Sequence, residues 1–322
     1  MGIIGYGKVG QLRHRVIDRH LLELDVVALC DPNLTGTGYG VEAIYPAWQQ
    51  MLAHSNLDAV VVCVPNFIAH EITAHCLKAG LHVFCEKPPA RSVEDLKIVE
   101  QALTSSRAVL MYGFNHRYHG AVQAVKEHLD SGGCGRILSL RGLYGKPGFE
   151  CDEDAWRVDL VKSGGGILID QGIHMVDLFR HLTGVEFTDI HAYKTIAPGM
   201  CVENNVWALL KSSCGIVAQL TSSAALLKHR FELEVSCEYA TLAIDGILSN
   251  SMRYAPEYLN VAGPGVIVQR NFVQDMSWKQ ELIEWYRCIM DHDTPSHGTL
   301  LDAINTLGLV EQIYGAADDE CS

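Results

Sequence analysis

The chain of 322 residues has no long apolar run. Its longest, Ala59-Val60-Val61-Val62-Cys63-Val64, falls far short of the roughly 18–20 residues that span a bilayer. No membrane span or membrane partner is therefore expected. No secretory leader is visible either, since Met1 runs straight into Gly2-Ile3-Ile4-Gly5, and a cytoplasmic location is expected. Positive charge is scarce: 25 Lys and Arg stand against 38 Asp and Glu, a net charge of −13. That balance argues against nucleic acid or an anionic membrane as the main partner, although a local cation cluster could still bind a small anion. Cysteines are present but never at C-x-x-C spacing. The 11 of them are an odd number and scattered, with Cys30, Cys63 and Cys85 in apolar segments. Buried thiols in a reducing compartment are expected, rather than a zinc site or a disulfide framework. Repeats and low-complexity segments are missing too. What remains is an ordinary globular composition, 48% hydrophobic and 20% charged, in a chain long enough for two domains.

Residues 1–115 alternate apolar strands with helices. "GIIG", "LDVVALCD", "DAVVVCVP", "LHVFCEKP" and "AVLMYGF" read as strands. Between them "KVGQLRHRVIDRHLL", "AHEITAHCLKAG" and "SVEDLKIVEQALTSS" read as helices, the last opened by a capping box from Ser92 to Asp95. Continuous apolar strands between helices imply an α/β domain with a doubly wound parallel sheet. Residues 116–322 change texture. After the helical "AVQAVKEHLDSGGCG", the segments "RILSLRGLYG", "TDIHAYKT", "NNVWALLKS", "GIVAQLTSSA", "RFELEVSC" and "ATLAIDG" alternate with period two. This is the pattern of an open, mainly antiparallel sheet, and helical texture returns at 275–291 and 299–317. The expectation is an N-terminal α/β domain over 1–115 and an α+β domain over 116–322.

Gly5-Tyr6-Gly7-Lys8-Val9-Gly10 fits G-x-G-x-x-G at a strand-to-helix turn. The first glycine makes the turn, the second admits a pyrophosphate, and the third lets helix and strand pack. Asp31 ends the second strand, where a carboxylate can bind the ribose hydroxyls and repel a 2′-phosphate. NAD is expected over NADP. Pro65 and Asn66, then Glu86 and Lys87, end the next two apolar strands on the same edge. Lys87 can hydrogen-bond a substrate oxygen there, although the dipeptide alone also suits a surface lysine paired with Glu86.

The stretch "GGGILIDQGIHMVDLF", 164–179, spaces Asp170, His174 and Asp177 at helical offsets. An imidazole beside a carboxylate suits acid–base work near neutral pH. The same spacing also suits a satisfied core histidine. A metal would need a third ligand, and Asp177 lies nearly two turns from Asp170, so none is expected.

Together these pieces resemble the Gfo/Idh/MocA family of NAD(P)-dependent sugar and cyclitol oxidoreductases. The segments carrying the resemblance are "GIIGYGKVG", "ALCDPN", "VPNFIAH", "CEKP", "GFNHRY", "AWR", "SGGGILIDQGIHMVDL" and "TLLDAINTLGLVEQIYGAA". The resemblance implies a Rossmann domain, a second domain with an open antiparallel sheet, and a homodimer or homotetramer formed through that sheet. It implies catalytic roles for Lys87, Asp170 and His174. Cofactor contacts are expected from Gly5, Gly7, Lys8, Val9, Gly10, Asp31, Pro65, Asn66, Glu86, Lys87 and Asn115. The substrate wall is expected from Asn115, Arg117, Trp156 and Arg157 along with Asp170 and His174, and less directly from Lys228 and His229. The expected reaction moves a hydride between nicotinamide and a secondary alcohol or ketone of a sugar, nucleotide sugar or cyclitol. His174 would handle the hydroxyl proton, Lys87 would hydrogen-bond the same oxygen, and Asp170 would orient both. A non-sugar substrate such as a dihydrodiol, or a non-catalytic NAD- or sugar-sensing role, are the alternatives. Asp177 is expected to serve a polar contact further along the helix, and the three glycines to bring that helix close to the nicotinamide. Two departures from the family stand out. Only Met1–Ile4 precede the glycine loop, whereas the first strand of relatives normally has several residues more. Tyr118-His119-Gly120 also stands where relatives often carry a proline.

Overall fold

The computed structural model describes residues 1–21, 23–36, 38–54, 56–148, 155–247 and 256–319. They form two compact units, one of residues 1–115 with 278–304 and the other of 116–277 with 305 onward. The first unit holds strands β1 (Gly2–Ile4), β2 (Ala28–Cys30), β3 (Ala43–Tyr45), β4 (Ala59–Val62), β5 (His82–Glu86) and β6 (Leu110–Gly113). Between them run helices α1 (Lys8–His20), α2 (Trp48–His54), α3 (Asn66–Lys78) and α4 (Val93–Thr104). All pairings are parallel, in the order β3-β2-β1-β4-β5-β6. That is the doubly wound Rossmann order, with its switch point between β1 and β4. Every residue of β1, β2 and β4 is buried, which is why these strands read as unbroken apolar runs. The capping box is present: the Asp95 N–H donates to Ser92 Oγ at 3.2 Å. Helix α2 and strand β3 carry no strong periodic signal and are absent from the sequence reading.

The second unit contains α5 (Gly120–Asp130), α6 (Leu160–Ser163) and α7 (Ile173–Thr183), and among the described residues a sheet of nine strands. These are β7 (Ile137–Pro147), β8 (Phe187–Thr195), β9 (Asn205–Ser212), β10 (Val217–Ser223), β11 (Ala225–Cys237), β12 (Thr241–Asp245), β13 (Glu257–Gly263), β14 (Val266–Phe272) and β15 (Ala317–Asp319). Their order is β14-β13-β12-β11-β7-β10-β9-β8-β15. Pairing is antiparallel except at β7/β10 and β8/β15. The expected alternation holds: Val206, Ala208 and Leu210 of β9 are buried, while Trp207 and Leu209 are exposed. Helix α7 lies against the buried face, close enough that a Cβ at Gly142 would sit 2.5 Å from Met175. Helices α8 (Ser277–Asp291) and α9 (Leu300–Ala316) lie between β14 and β15 in the chain.

Residues 278–304 belong to the first unit, whereas the sequence reading gives them to the second. Arg13 shows the packing that keeps them there. The buried stripe of α1 is Gly10, Arg13, His14 and Ile17, so a guanidinium enters the core. Its Nε donates to Glu86 Oε1 at 2.7 Å, Nη2 bonds the same oxygen, and Nη1 lies 2.6 Å from Glu281 Oε1. The guanidinium carbon is 4.5 Å from the ring centroids of both Phe84 and Trp278. Arg13 and Glu281 are fully buried. Removing Arg13 strands both carboxylates without a counter-charge. Arg13→Ala is expected to destabilise the first unit by about 3–5 kcal/mol, read as a lowered urea midpoint. A change of less than ~1 kcal/mol would contradict this account.

Candidate functional site

In the first unit, every strand end that carries a candidate residue points to one edge, because the strands are parallel. Gly5, at φ +88°, sits beneath the loop after β4, and a Cβ there would lie 2.4 Å from Cys63 O. A Cβ at Gly10 would come within 2.1 Å of Gly5 O, so strand and helix can meet only if this residue is glycine. Gly7 is different: nothing lies within 4 Å of where its Cβ would be. It forms the N-cap of α1, with Lys8 and Val9 in the first turn and no acidic residue there. An open glycine at the N-terminus of a helix whose first turn carries no acidic residue fits a pyrophosphate. Asp31 is held against this loop, its Oδ2 accepting from the Tyr6 N–H at 2.8 Å and its Oδ1 from the Asn33 N–H at 2.9 Å. Pro65 and buried Asn66 open α3, and buried Asn115 follows β6. Lys87 follows β5 and is half-buried, with a cis peptide bond to Pro88. The carboxylate of Glu86 is engaged by Arg13 inside the fold, a core role that the sequence reading did not foresee. Burial pushes the Cys30 thiol up to about 11 and that of Cys63 well above its ordinary value, so neither offers a thiolate nucleophile near neutral pH.

In the second unit, the glycine run bends the chain onto Glu203. A Cβ at Gly166 would lie 2.1 Å from Glu203 O, and one at Gly165 2.2 Å from Tyr314 Oη. Packing within this unit therefore requires both glycines. Glu203 Oε2 accepts from the Gly166 N–H at 2.7 Å, and Oε1 from the Leu168 N–H at 3.0 Å and the Tyr314 hydroxyl at 2.8 Å. The segment Leu168–Gly172 is a π turn, the Ile173 N–H returning to Leu168 O. The offsets of a plain α-helix assumed from sequence thus fail at this turn, and the three polar residues are held by different neighbours. Asp170 accepts from Lys146 Nζ at 2.8 Å. His174, only 4% exposed, stacks on His116 with ring centroids 3.8 Å apart. Asp177, fully buried, accepts from Arg117 Nε at 2.8 Å and Nη2 at 2.6 Å.

That last contact relocates one candidate, since Arg117 is 4% exposed and bonded inside the second unit. Trp156 and Arg157 lie in a 3-10 turn, Ala155–Val158, with the guanidinium 4.5 Å over the indole and Arg157 itself exposed. Exposed Lys228 and half-buried His229 occupy the irregular register of β11 between Ala225 and Arg230, beside the end of β7. His119, at the departure from the family pattern, is fully buried and bonds Glu257 Oε1 at 2.7 Å. Sequence reasoning missed Lys146, His116, Glu203 and Arg13. Only Arg13 left a signal, a charge within the apolar stripe of α1.

A Rossmann sheet with an open glycine loop and an acidic residue after β2, followed by an α+β unit carrying an Asp–His pair, defines a dinucleotide-dependent oxidoreductase class. Two family profiles match the chain: "Oxidoreductase family, NAD-binding Rossmann fold" over residues 1–114, and "GFO/IDH/MocA C-terminal domain" over residues 122–243. The chain belongs to the Gfo/Idh/MocA family, and its first unit is an NAD-binding domain. It is 33% identical over 208 residues to D-glucoside 3-dehydrogenase of Escherichia coli K12, covering 61% of this chain and 58% of that one. It is 32% identical over 173 residues to levoglucosan dehydrogenase of Pseudarthrobacter phenanthrenivorans, covering 52% and 44%. The matched part thus spans about half the length of these relatives. Among solved structures, a levoglucosan dehydrogenase in complex with NADH superposes with a TM-score of 0.85 at 20% identity, covering 98% of this chain and 95% of that one. An aldose–aldose oxidoreductase from Caulobacter crescentus gives 0.83 at 23%, covering 98% and 96%.

Two outcomes follow from this geometry. Gly10→Ala should weaken NADH binding at least tenfold, about 1.4 kcal/mol, in a fluorescence titration, because the added methyl displaces the loop. Unchanged affinity would refute the cradle. Burial raises the Glu203 carboxyl above its ordinary 4.5 despite its donors. The folded state therefore holds a proton that the unfolded state has lost, and stability falls as pH rises above about 4.5 through the folded-state titration. Glu203→Gln lacks that titration, so the stability of the native chain relative to this variant should decline over the same range in urea unfolding. A pH-independent difference would count against it.

Proposed function

We propose that this protein is an NAD-dependent dehydrogenase acting on a secondary alcohol of a sugar or cyclitol, or on the matching ketone. The observation that carries the reading is the intact set of Lys87, Asp170 and His174 in a family whose similar members are named for glucosides, levoglucosan and inositol. Thr- or Asn-type replacements at these positions would leave no proton acceptor. Here His174 offers an imidazole held by a stacked ring, and Asp170 a carboxylate only partly exposed.

When bound, NAD supplies the hydride acceptor at C4 of its nicotinamide. Gly5, Gly7, Lys8, Val9 and Gly10 would hold the pyrophosphate, and Asp31 the adenosine ribose; Pro65, Asn66, Glu86, Lys87 and Asn115 belong to the same edge of the sheet. The Asp31 carboxylate disfavours a 2′-phosphate, which supports NAD over NADP. His174 takes the hydroxyl proton in oxidation and returns it in reduction. Lys87 donates a hydrogen bond to the reacting oxygen and stabilises its developing charge. Asp170 accepts from a substrate hydroxyl and fixes its orientation. Trp156 and Arg157 are retained as substrate contacts; Arg117 is better read as a structural residue.

The exposed apolar residues of the open sheet face support assembly as a homodimer or homotetramer. Tyr193 stands directly across from Trp207, with Leu209 nearby, all three exposed. The free thiols of the described cysteines suit a reducing cytoplasm, and no described helix is long and apolar enough to cross a membrane. Absorbance at 340 nm with NAD and a panel of myo-inositol, D-glucose, levoglucosan and a glucoside tests the reading. His174→Ala should lower turnover of the accepted substrate by roughly 10²–10⁴-fold. Normal turnover in that variant would remove His174 from its role. Tight NAD binding without turnover of any panel member would favour a sensing protein instead.

A further inference from the structure

Lys146 lies near the end of β7, two residues after buried Tyr144. Residues two apart on a strand share a face. Tyr144 faces His174, their ring centroids 6.1 Å apart, so Lys146 leaves the sheet on the side where His174 lies. There its Nζ donates to Asp170 Oδ2 at 2.8 Å, with the two side chains only 15% and 22% exposed. The π turn makes this meeting possible. Its extra residue turns Asp170 toward β7, while Asp177 goes to Arg117.

We propose that Lys146 is a positioning residue for the reaction, holding Asp170 in one orientation as an ionised carboxylate that meets a substrate hydroxyl as an acceptor. The proposal rests on the dehydrogenase reading of Asp170 and His174. A protonated Asp170 would present a donor on one oxygen and lose the charge that an alcohol O–H seeks. Partial burial alone favours that protonated form, and an ammonium in contact opposes it. Within the second unit the other ionisable groups nearby include exposed Lys228 and half-buried His229 of β11, beside the end of β7. On β7 the other nearby one is Tyr144. On α7 they are His174 itself, Asp177 bonded to Arg117, Arg180 bonded to Glu186, and His181. Glu203 and Tyr314 bond each other at the far end of the turn. His116 stacks on His174, and β10 carries no ionisable residue.

The test compares the purified NAD-loaded native chain with Lys146→Met and Lys146→Arg, using whichever panel member the native chain oxidises fastest. Loss of the cation raises the affinity of both Asp170 and His174 for protons. The acid limb of the kcat/KM profile should therefore move up by about one pH unit or more in Lys146→Met. Lys146→Arg should restore it. Lys146→Gln carries the same expectation should the methionine variant fold poorly. In urea unfolding, the destabilisation caused by Lys146→Met should shrink on an Asp170→Asn background, as a double-mutant cycle requires of coupled groups. An acid limb that coincides with the native one, even with stability lowered, overturns the positioning role and leaves the dehydrogenase reading standing. Absence of turnover in the native chain overturns that reading, and the positioning role with it, whatever the cycle shows.

Discussion

The second unit is organised around a buried ion pair, Arg117 with Asp177. Two hydrogen bonds fix the guanidinium in plane with the carboxylate, a fork geometry that sets direction as well as distance. The pair does not end there. The Thr306 hydroxyl donates to Asp177 Oδ1 at 3.2 Å, Arg180 Nη1 donates to that hydroxyl at 2.9 Å, and Arg180 continues to Glu186. The network joins the 3-10 turn Asn115–Tyr118, helix α7, helix α9 and the segment leading into β8. His174 stands three residues before Asp177, so its ring is placed by whatever holds this helix. The ring it stacks on, His116, is the neighbour of Arg117 in the chain. One ion pair thereby fixes both partners of the stack.

The first unit was legible because its signals are local. A glycine loop, apolar strands and a capping box each lie within a dozen residues, and each has a fixed geometric meaning. The Asp–His motif was legible as chemistry but not as geometry. Its spacing suggested a plain helix, and nothing in the letters "ILIDQGIH" announces a π turn. That turn exists because Glu203, more than thirty positions later, engages the N–H groups of Gly166 and Leu168. A carboxylate at that sequence distance cannot be tied to its partners by periodicity. Arg117 shows a related limit: arginine in a loop beside a motif suits a ligand clamp, and only the fold shows the aspartate that it bonds.

The placement of residues 278–304 follows the same rule. Their helical pattern was plain in the sequence, yet amphipathicity states that a face is buried and not against what. Trp278 and Trp285 answer that by packing on Arg13 and Phe84. Strands β13 and β14 were missed because they break the period-two pattern: Glu257 is buried, while Tyr258, Ile267 and Val268 are exposed.

Arg13 and its two glutamates also bear on how such a sequence can change over time. The three residues come from α1, β5 and α8, more than seventy positions apart in each step along the chain. Exchanging Arg13 alone leaves two carboxylates facing each other in the core, and exchanging either glutamate alone removes one of the two counter-charges of the guanidinium. Neutral drift at these sites therefore has to proceed by paired replacements. The position in front of Lys87 is accordingly among the least free to wander, although it takes its constraint from helix packing rather than from the reaction.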